Sequence, residues 1–388
     1  MRIGLYICDI LYNTGGTEAY AARLCQALQS LRADAEVTFV TELYAAEDAL
    51  SDGGFADSLN ARFGTDIRKG SVRARLVRAS QRSRLSRLAL RKELERASRA
   101  FDLFFYCSRG HYIFKAKKNV CVVHFPMERL ETLGGERGAL ARLRLGAKSR
   151  AYARRYDVFL PNSAFTRSFL RKIWRDIGDD RTFVLYPPVR EIGRSAEPKR
   201  NQILVCSRIE ESKKIEALTG AYLSSGYLRA NYKLVVAGGV PARQEAYCRE
   251  VRRAAAGGNV EFVLNAPFSK ISELYNQSKI FWHSKGFGVD EEREPLLCEH
   301  FGISTVEAMS AGCVPVVIDK GGQKEIVDSS CGFRWSTLGE LVSLTEAVAK
   351  DDALRERLGA AARERSRAFG MERFKDRLGA ILEGKGLL

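Results

Sequence analysis

The sequence predicts an α/β protein with two domains, each built around a sheet of parallel strands. The chain has 388 residues, which suits two domains of ordinary size. Apolar runs typical of buried parallel strands alternate with longer amphipathic stretches, and Gly-rich turns separate them. We expect a first domain at residues 1–190, a linker at 191–200 and a second domain at 201–370.

The composition indicates the environment of the chain. Hydrophobic residues make up 45% of it, which is enough for globular cores and excludes general disorder. The nine cysteines are scattered without CxxC spacing, which argues against a disulfide framework or zinc site and for a reducing cytoplasm. The first residues lead directly into an apolar strand, and no apolar run approaches the ~18 residues of a membrane span. We expect a cytoplasmic protein without a signal peptide, either soluble or lying on the membrane face.

The net charge of +16 requires an anionic partner or another explanation. Nucleic acid, anionic lipid and a phosphorylated substrate all qualify. Between residues 68 and 99 there are twelve Lys or Arg and two Glu. This stretch is either a solvated helical face or loop, or a surface that rests on anionic lipid. No helix-turn-helix, zinc-finger or RNA-binding motif is visible, so we expect no nucleic-acid partner.

The first domain opens with a predicted strand at 3–7, a turn that contains Gly15 and Gly16, and a helix to about residue 31. Such a unit can hold a phosphate, because the first N–H groups of a helix have no partners within it. Tight strand-to-helix turns use glycine in any case, so both interpretations stay open here. The turn matches neither GxGxxG nor a Walker loop, which excludes dinucleotide dehydrogenases and P-loop ATPases.

Ligands of parallel sheets bind where strands end, and His124 stands at such a place. It directly follows a predicted strand, although a lone histidine is more often structural. His111, near the end of another strand, is the second candidate. The remaining strands of this domain are predicted at 37–41, 101–107, 119–123 and 157–161.

The second domain opens with a predicted strand at 203–206, and Arg208 and Lys213 follow it. Across a strand-to-helix turn, an Arg and a Lys five residues apart can converge on one pyrophosphate. Two unconnected surface cations explain the same spacing. The alternation then continues with strands predicted at 233–237, 259–264 and 280–284.

The residues from 298 to 312 contain the most informative pattern. Glu299 and Glu307 are eight residues apart, Gly302 lies between them, and helical periodicity begins after it. A phosphate at this helix N-terminus would have one carboxylate on each side. The segment is therefore either a site for a sugar attached to a nucleotide diphosphate or an ordinary loop–helix–strand unit with surface glutamates. Spacing alone leaves both open.

The same segment closely resembles the motif of the family 4 retaining glycosyltransferases. Their pattern is Glu, seven residues, Glu, with Phe-Gly after the first acid and Glu-Ala-Met-Ala-Gly at the second, where Ser310 here replaces Ala. The resemblance implies that Glu299 contacts sugar hydroxyls and that Glu307 holds the ribose. The donor-binding set that it implies is Gly15, Gly16, Phe301, Gly302, Ile303, Ser304, Thr305 and Glu307.

The resemblance extends to other positions. The family's Gly-Gly-Thr-Glu loop appears at 15–18, and its N-domain histidine falls on His124. Its Arg-x4-Lys pair falls on Arg208 and Lys213, which would neutralise the departing diphosphate. Lys214 replaces the family's usual Gly, a departure that alters the turn. Residues 285–297 are longer than the segment that many members have, so we expect an insertion beside the sugar pocket.

The family implies a GT-B fold, in which two Rossmann-like domains with parallel sheets face each other across a cleft. A last helix, residues 371–388, would cross back to the first domain. The implied reaction transfers a hexose, with mannose favoured, from a nucleotide diphosphate sugar to a hydroxyl of a glycan or lipid-linked acceptor, with retention of configuration. No Asp-x-Asp motif occurs, so we expect no metal or other cofactor. The alternatives are a sugar-nucleotide epimerase of the same fold and a basic nucleic-acid-binding protein.

Overall fold

The chain folds into two compact units in the computed structural model, which describes all residues except 9, 14, 44–51, 79–82, 109–111, 128–134 and 194. The first unit consists of Met1–Pro188 together with Met371–Leu388, and the second of Val189–Gly370. Residues 191–200, predicted as a linker, belong to the second unit. Ile192 is buried there, and its N–H donates to Ser310 Oγ at 3.0 Å.

Each unit contains one sheet of six parallel strands. Those of the first are β1 (Arg2–Tyr6), β2 (Glu36–Leu43), β3 (Val72–Arg78), β4 (Leu103–Tyr106), β5 (Lys118–Val123) and β6 (Val158–Pro161). Those of the second are β7 (Arg200–Cys206), β8 (Lys233–Gly238), β9 (Val260–Leu264), β10 (Ser278–His283), β11 (Val314–Ile318) and β12 (Phe333–Trp335).

The two sheets have the same topology. The order is β3-β2-β1-β4-β5-β6 in the first and β12-β11-β10-β7-β8-β9 in the second. Counted from each unit's own first strand, both follow the Rossmann order 3-2-1-4-5-6. The direction of winding reverses between β1 and β4, and again between β7 and β10. Doubly wound sheets bind ligands outside the carboxyl ends of the strands at such reversals, so topology alone points to two places in this chain.

Helices cover both faces of each sheet. Those of the first unit are α1 (Gly16–Leu31), α2 (Asp52–Phe63), α3 (Arg84–Ser98), α4 (Gly135–Arg155) and α5 (Ala164–Ile173). Those of the second are α6 (Ile215–Ser224), α7 (Gly226–Asn231), α8 (Glu245–Ala254), α9 (Phe268–Gln277), α10 (Ile303–Ser310), α11 (Gln323–Ile326), α12 (Leu338–Lys350) and α13 (Asp352–Ser366). The last helix, α14 (Met371–Gly384), returns to the first unit.

The return of α14 rests on apolar burial. Phe374, Leu378 and Leu382 are buried within the core that β1 and α1 form. Full burial of a leucine or phenylalanine side chain contributes about 1.5–3 kcal/mol, so these contacts hold the end of the chain on the first sheet. No helix among the described residues combines the length and apolarity needed to cross a membrane.

The basic stretch 68–99 is not one helical surface. Its first part is the edge strand β3, which pairs with β2 from Val37↔Val72 to Leu43↔Arg78, and its last part is α3. Residues 79–82 between them lie outside the described part of the chain. Sequence analysis did not predict β3, because arginines alternate with its apolar residues, a pattern that suits an edge strand with one solvated face.

Candidate active site

The reversal point of the second sheet brings together residues that are distant in sequence. The loop after β7 carries Lys213, β10 ends at His283, and Glu299 precedes α10. Lys213 Nζ donates to Glu299 Oε2 at 2.7 Å, and His283 Nε2 lies 3.3 Å from the same oxygen. The Lys213 and Glu299 side chains are 14% and 19% exposed. Both of these contacts are to Oε2, so neither uses the lone pairs of Oε1.

The ion pair fixes the ionisation of this cluster. Burial acts to raise the pKa of Glu299, but the charges of Lys213 and Lys285 and the His283 hydrogen bond hold that pKa well below its usual range. Burial lowers the pKa of His283, so its imidazole is neutral at pH 7. Because an ionised carboxylate only accepts hydrogen bonds, Nε2 of His283 carries the proton and donates it. Nδ1 is then an acceptor, and it has no partner among the described residues.

The backbone around Lys213 is held in an unusual conformation. A 3-10 turn, Glu211–Lys213, is followed by Lys214 in the left-handed region, at φ 51° and ψ 40°, where α6 begins. Ser284 Oγ, just after β10, donates to the carbonyl of Lys213 at 2.7 Å. The left-handed conformation costs a side-chain-bearing residue about 1–2 kcal/mol, which explains why the family pattern has Gly where this chain has Lys214.

Arg208 lies apart from this cluster. Its side chain is exposed and pairs with Glu210 at 3.2 Å, and Ser212 Oγ donates to the same Glu210 oxygen at 2.8 Å. The spacing of Arg208 and Lys213 suggests convergence on one anion. In the structure Lys213 reaches Glu299, whereas Arg208 points to its own loop and would have to leave Glu210 to meet a diphosphate.

The helix α10 begins at a glycine that cannot be replaced without strain. Gly302 has φ 127°, and a Cβ at this position would collide with Nε2 of the buried Gln323. Gln323 Oε1 in turn accepts a hydrogen bond of 3.0 Å from Thr305 Oγ1, in the first turn of α10. Gly302 provides no side-chain cap, and the N–H of Thr305 already donates to the Gly302 carbonyl at 3.1 Å. The N–H groups of residues 302–304 are therefore the ones suited to a phosphate at this helix N-terminus.

A second glycine turn supports the backbone of the first acid. Gly321 has φ 59°, and a Cβ there would collide with the carbonyl oxygen of Glu299. The N–H of Gly322 donates to that same carbonyl at 2.8 Å. The two glycines at 321 and 322 therefore have a local explanation, because only small residues allow this close approach.

The predicted insertion, residues 285–297, is attached to the same turn. Glu291 Oε2 accepts a hydrogen bond of 3.0 Å from the N–H of Gly321, and Oε1 pairs with Lys324 Nζ at 2.5 Å. Burial acts to raise the pKa of Glu291, and the bonds from Lys324 and Gly321 outweigh it and lower that pKa. The insertion is thus tied by an ionised carboxylate to the turn that supports Glu299.

Glu307, one turn into α10, has a partner that sequence analysis did not find. Tyr275 OH, on α9, donates to Glu307 Oε2 at 3.0 Å, and the Tyr275 side chain is fully buried. Burial and the Glu307 charge keep the pKa of Tyr275 well above its ordinary value, so the hydroxyl stays a donor. Tyr275 therefore restrains one oxygen of the Glu307 carboxylate.

We expect Tyr275→Phe to raise the donor KM three- to tenfold with little change in kcat. A single hydrogen bond contributes about 0.5–1.5 kcal/mol, and a misoriented Glu307 weakens binding in the ground state and transition state alike. Tyr222→Phe is the matched control, because its buried hydroxyl donates to Tyr232 O and Asn259 O at the opposite edge of the sheet. Equal donor KM values in both variants would remove Tyr275 from the site.

The first unit presents its own glycine turn at the reversal between β1 and β4. Gly15 is the N-cap of α1, Gly16 is its first residue, and both are exposed. Arg62 of α2 donates to the carbonyls of Ile10 and Asn13, at 2.6 and 2.5 Å, and so holds the loop that precedes α1. Gly15 provides no side-chain cap, and the carboxylate of Glu18, in the first turn of α1, lies beside it.

His124 is buried behind this turn. Its Nε2 lies 3.0 Å from the carbonyl of Cys107, at the end of β4, and its ring meets Tyr20 of α1 edge-on at 5.4 Å. In this arrangement Nε2 donates to a carbonyl, so His124 would reach a sugar through its other nitrogen or backbone, or after a rotation. His111, the second candidate, lies outside the described residues.

Two sheets of Rossmann order, with a carboxylate–lysine–histidine cluster and an open helix N-terminus at the reversal point of the second, define a GT-B glycosyltransferase. The family models agree: "Glycosyltransferase Family 4" matches residues 14–191, and "Glycosyl transferases group 1" matches residues 190–365. The chain belongs to glycosyltransferase family 4 and is a transferase enzyme. The fold and family that the motif resemblance implied are thus confirmed.

Curated relatives share a single description, GDP-Man:Man(3)GlcNAc(2)-PP-Dol alpha-1,2-mannosyltransferase. The Dictyostelium discoideum protein is 27% identical over 47% of this chain and 38% of its own length. The Neurospora crassa protein is 27% identical over 60% of this chain and 50% of its own length. The matches therefore span 38% and 50% of the length of these two relatives.

Solved structures match nearly the whole chain. Anabaena Alr3699/HepE in complex with UDP and glucose gives a TM-score of 0.72 at 15% identity, covering 99% of this chain and 100% of the other. WaaG, a glycosyltransferase involved in lipopolysaccharide biosynthesis, gives 0.66 at 15% identity, covering 98% and 100%. At this identity the likeness concerns the fold alone.

Proposed function

We propose that the chain is a retaining, metal-independent glycosyltransferase that moves a hexose, with mannose favoured, from a nucleotide diphosphate sugar to a hydroxyl of a glycan or lipid-linked acceptor. One observation carries this proposal: the Glu299 carboxylate is held on Oε2 by Lys213 and His283, beside the open N-terminus of α10. A sugar hydroxyl can reach Oε1 while the diphosphate meets the helix N-terminus and the lysine.

Transfer of the sugar develops opposite charges on the diphosphate and on the sugar, and the site contains groups that can stabilise each of them. When the bond between the anomeric carbon and the β-phosphate oxygen breaks, negative charge grows on the phosphate and positive charge on the sugar. Lys213, the first amides of α10, and Arg208 once released from Glu210 would stabilise the anion. The Glu299 carboxylate would stabilise the sugar. The family resemblance supplies retention, with the acceptor hydroxyl attacking on the face that the diphosphate leaves and giving that phosphate its proton.

The proposed identities of the donor sugar and the acceptor are supported by the curated relatives and not by the geometry of the site. The curated relatives carry the name of a mannosyltransferase that uses GDP-mannose and a dolichyl-diphosphate glycan, which supports GDP-mannose and a lipid-linked acceptor for this chain. Such an acceptor would place the enzyme peripherally on the cytoplasmic membrane face. No observation in the described residues favours the epimerase alternative, and the experiment below separates the two.

We expect GDP to stabilise the protein more than UDP, dTDP or ADP in a thermal-shift series. A ligand at 100 times its Kd raises the free energy of unfolding by about 2.7 kcal/mol, whereas a ligand below its Kd raises it hardly at all. GDP-mannose should then undergo transfer or slow hydrolysis in the presence of EDTA.

Three outcomes would contradict parts of this proposal. Preferential stabilisation by UDP would replace the donor, and strict dependence on Mg²⁺ or Mn²⁺ would remove the metal-independent mechanism. Formation of an epimer without release of the nucleotide diphosphate would establish the epimerase alternative. The anomer of the first product, read by NMR before mutarotation or in a stable glycoside, decides whether configuration is retained.

A further inference from the structure

Two basic helices of the first unit lie on the same face of its sheet. Glu95 of α3 pairs with Lys115, and Ser98 Oγ accepts a bond of 2.8 Å from the N–H of Lys115. Tyr156, directly after α4, donates to the carbonyl of Tyr112 at 2.9 Å. The C-terminal end of α3 and the residue after α4 therefore both contact residues 112–115, and the core of α1, α2 and α14 occupies the opposite face.

Both helices also run in the same direction. Five residues after α3 ends at Ser98, strand β4 begins at Leu103, and three residues after α4 ends at Arg155, β6 begins at Val158. The C-terminal ends of α3 and α4 thus lie at the amino edge of the parallel sheet. Their N-terminal halves point towards its carboxyl edge, where Gly15 and His124 also lie.

The two halves of each helix differ in burial. From its middle onwards each helix is anchored by buried side chains, Leu90 and Leu94 in α3 and Tyr152 in α4. The N-terminal halves instead expose leucines, with exposed fractions of 79%, 49%, 53% and 65% for Leu85, Leu88, Leu140 and Leu143. In each helix the two leucines are three residues apart and so share one side. Each helix thus exposes a pair of leucines on one of its sides near the carboxyl edge of the sheet, which distinguishes them from singly scattered surface hydrophobics.

Cations surround these leucines. Helix α3 contains five Lys or Arg and two Glu, and α4 contains seven and one, so the two helices contribute nine of the net +16. Arg87 lies between Leu85 and Leu88, and Arg142 and Arg144 flank Leu143; all three are exposed. Leucines within an arginine-rich helix surface are the composition of a segment that lies in a membrane interface.

We infer that the exposed leucines and arginines of α3 and α4, here called the leucine–arginine surface, dock on a bilayer of anionic lipid. This surface consists of Leu85, Arg87, Leu88, Leu140, Arg142, Leu143 and Arg144. Arginines would meet the phosphate headgroups while the leucines enter the boundary with the acyl chains. Nucleic acid would satisfy the cations but not the four leucines, and a neutral bilayer would satisfy only the leucines. Docking would hold the carboxyl edge of the first sheet at the lipid, where a lipid-linked acceptor is presented.

Cosedimentation of the full chain with vesicles tests this inference. We expect recovery with phosphatidylglycerol-containing vesicles and none with pure phosphatidylcholine. Binding should weaken steeply with salt, because the Debye length falls from about 10 Å at 0.1 M to about 3 Å at 1 M. Leu140→Ser with Leu143→Ser, and separately Arg142→Ser with Arg144→Ser, should each reduce the partition coefficient on the order of tenfold.

The matched control is Arg249→Ser with Arg253→Ser on α8 of the second unit. It removes the same charge from exposed positions and should leave vesicle binding within a factor of about three. Because every substituted side chain is exposed, the thermal midpoint of each variant should equal that of the wild type.

Equal recovery with both vesicle types, recovery with neither, or leucine variants that bind as the wild type does would overturn the inference. Tight RNA binding that depends on the arginines but not on the leucines would assign the surface to nucleic acid instead. The inference extends the proposed lipid-linked acceptor but is tested apart from it. GDP thermal shifts in the absence of vesicles report the donor site, so loss of either readout alone shows which proposal failed.

Discussion

Lys213→Ala is expected to lower kcat by roughly 10²–10³, which is the effect of removing one preorganised donor from a developing oxyanion. The structure adds a second cause. Lys213 is the closest cation to Glu299, so its removal leaves that carboxylate with burial, which raises the pKa, opposed only by His283 and Lys285. We therefore expect the variant to lose further activity as the pH falls towards 5, where the wild type keeps Glu299 ionised.

A matched control separates this effect from a general loss of packing. Lys279 is 15% exposed, against 14% for Lys213, and it binds Asn201 at 2.8 Å at the amino edge of the same sheet. Lys279→Ala should cost stability without changing kcat or the pH profile. Steady-state kinetics from pH 5 to 8 is the measurement, and full activity in Lys213→Ala would leave the cluster without a role in transfer.

The site residues that could be predicted from the sequence alone lie mostly next to the ends of predicted strands. His124 and Lys213 were predicted as polar residues that follow apolar strands, and parallel strands do place such residues at one edge. Glu299 was predicted from its spacing to Glu307 across Gly302. His283 has a similar signal, because it is the last residue but one of the strand predicted at 280–284. It was missed because its meaning depends on Glu299, sixteen residues later in the chain. The order of the strands, not their sequence, brings the two side chains together.

Side-chain direction explains the other differences. Tyr275 lies in an amphipathic helix, where one more buried aromatic residue reads as core, and only the packing of α9 beside α10 makes it a donor to Glu307. Arg208 was predicted beside Lys213 from a five-residue spacing, but spacing does not fix a rotamer, and the adjacent Glu210 captures the guanidinium. Local sequence locates the loops, whereas the partners of a charged group follow from tertiary packing.

The same reasoning explains why two cations of the motif need not act alike. Lys213 already faces the cluster and has little freedom, since Ser284 holds its carbonyl at 2.7 Å. Arg208 is exposed, and its pairing with Glu210 is of the kind that contributes about 0–1 kcal/mol. A diphosphate can therefore recruit Arg208 at small cost, whereas Lys213 is in place before the donor arrives. Because Lys213 is already positioned, we expect its substitution to lower kcat more than substitution of Arg208 does.

Glu299→Gln is expected to lower kcat on the order of 10²-fold, with a much smaller change in donor KM. The amide keeps the shape of the side chain but removes the charge that would stabilise the positive sugar in the transition state. A loss confined to the transition state lowers kcat and kcat/KM together.

Glu307→Gln should instead raise the donor KM at nearly constant kcat, because a ribose contact exists before and during the reaction.

Stability gives this prediction a readout that does not depend on catalysis. Because the folded-state pKa of Glu299 is depressed, its ion pair with Lys213 stabilises the fold fully above the pKa of an unfolded Glu, about 4.3, and that stabilisation is lost as the pH falls through the lower folded value. Glu299→Gln leaves Lys213 unpaired and should lower the free energy of unfolding by up to about 3 kcal/mol at pH 7, and by progressively less in acid.

Glu346→Gln is the control: that carboxylate pairs with Lys350 at 2.6 Å on α12, and its loss should not alter kcat. The measurements are the free energy of unfolding by denaturant at pH 7 and pH 3, and kcat at pH 7, for both variants. Unchanged kcat in Glu299→Gln would refute the assignment of this carboxylate to the sugar.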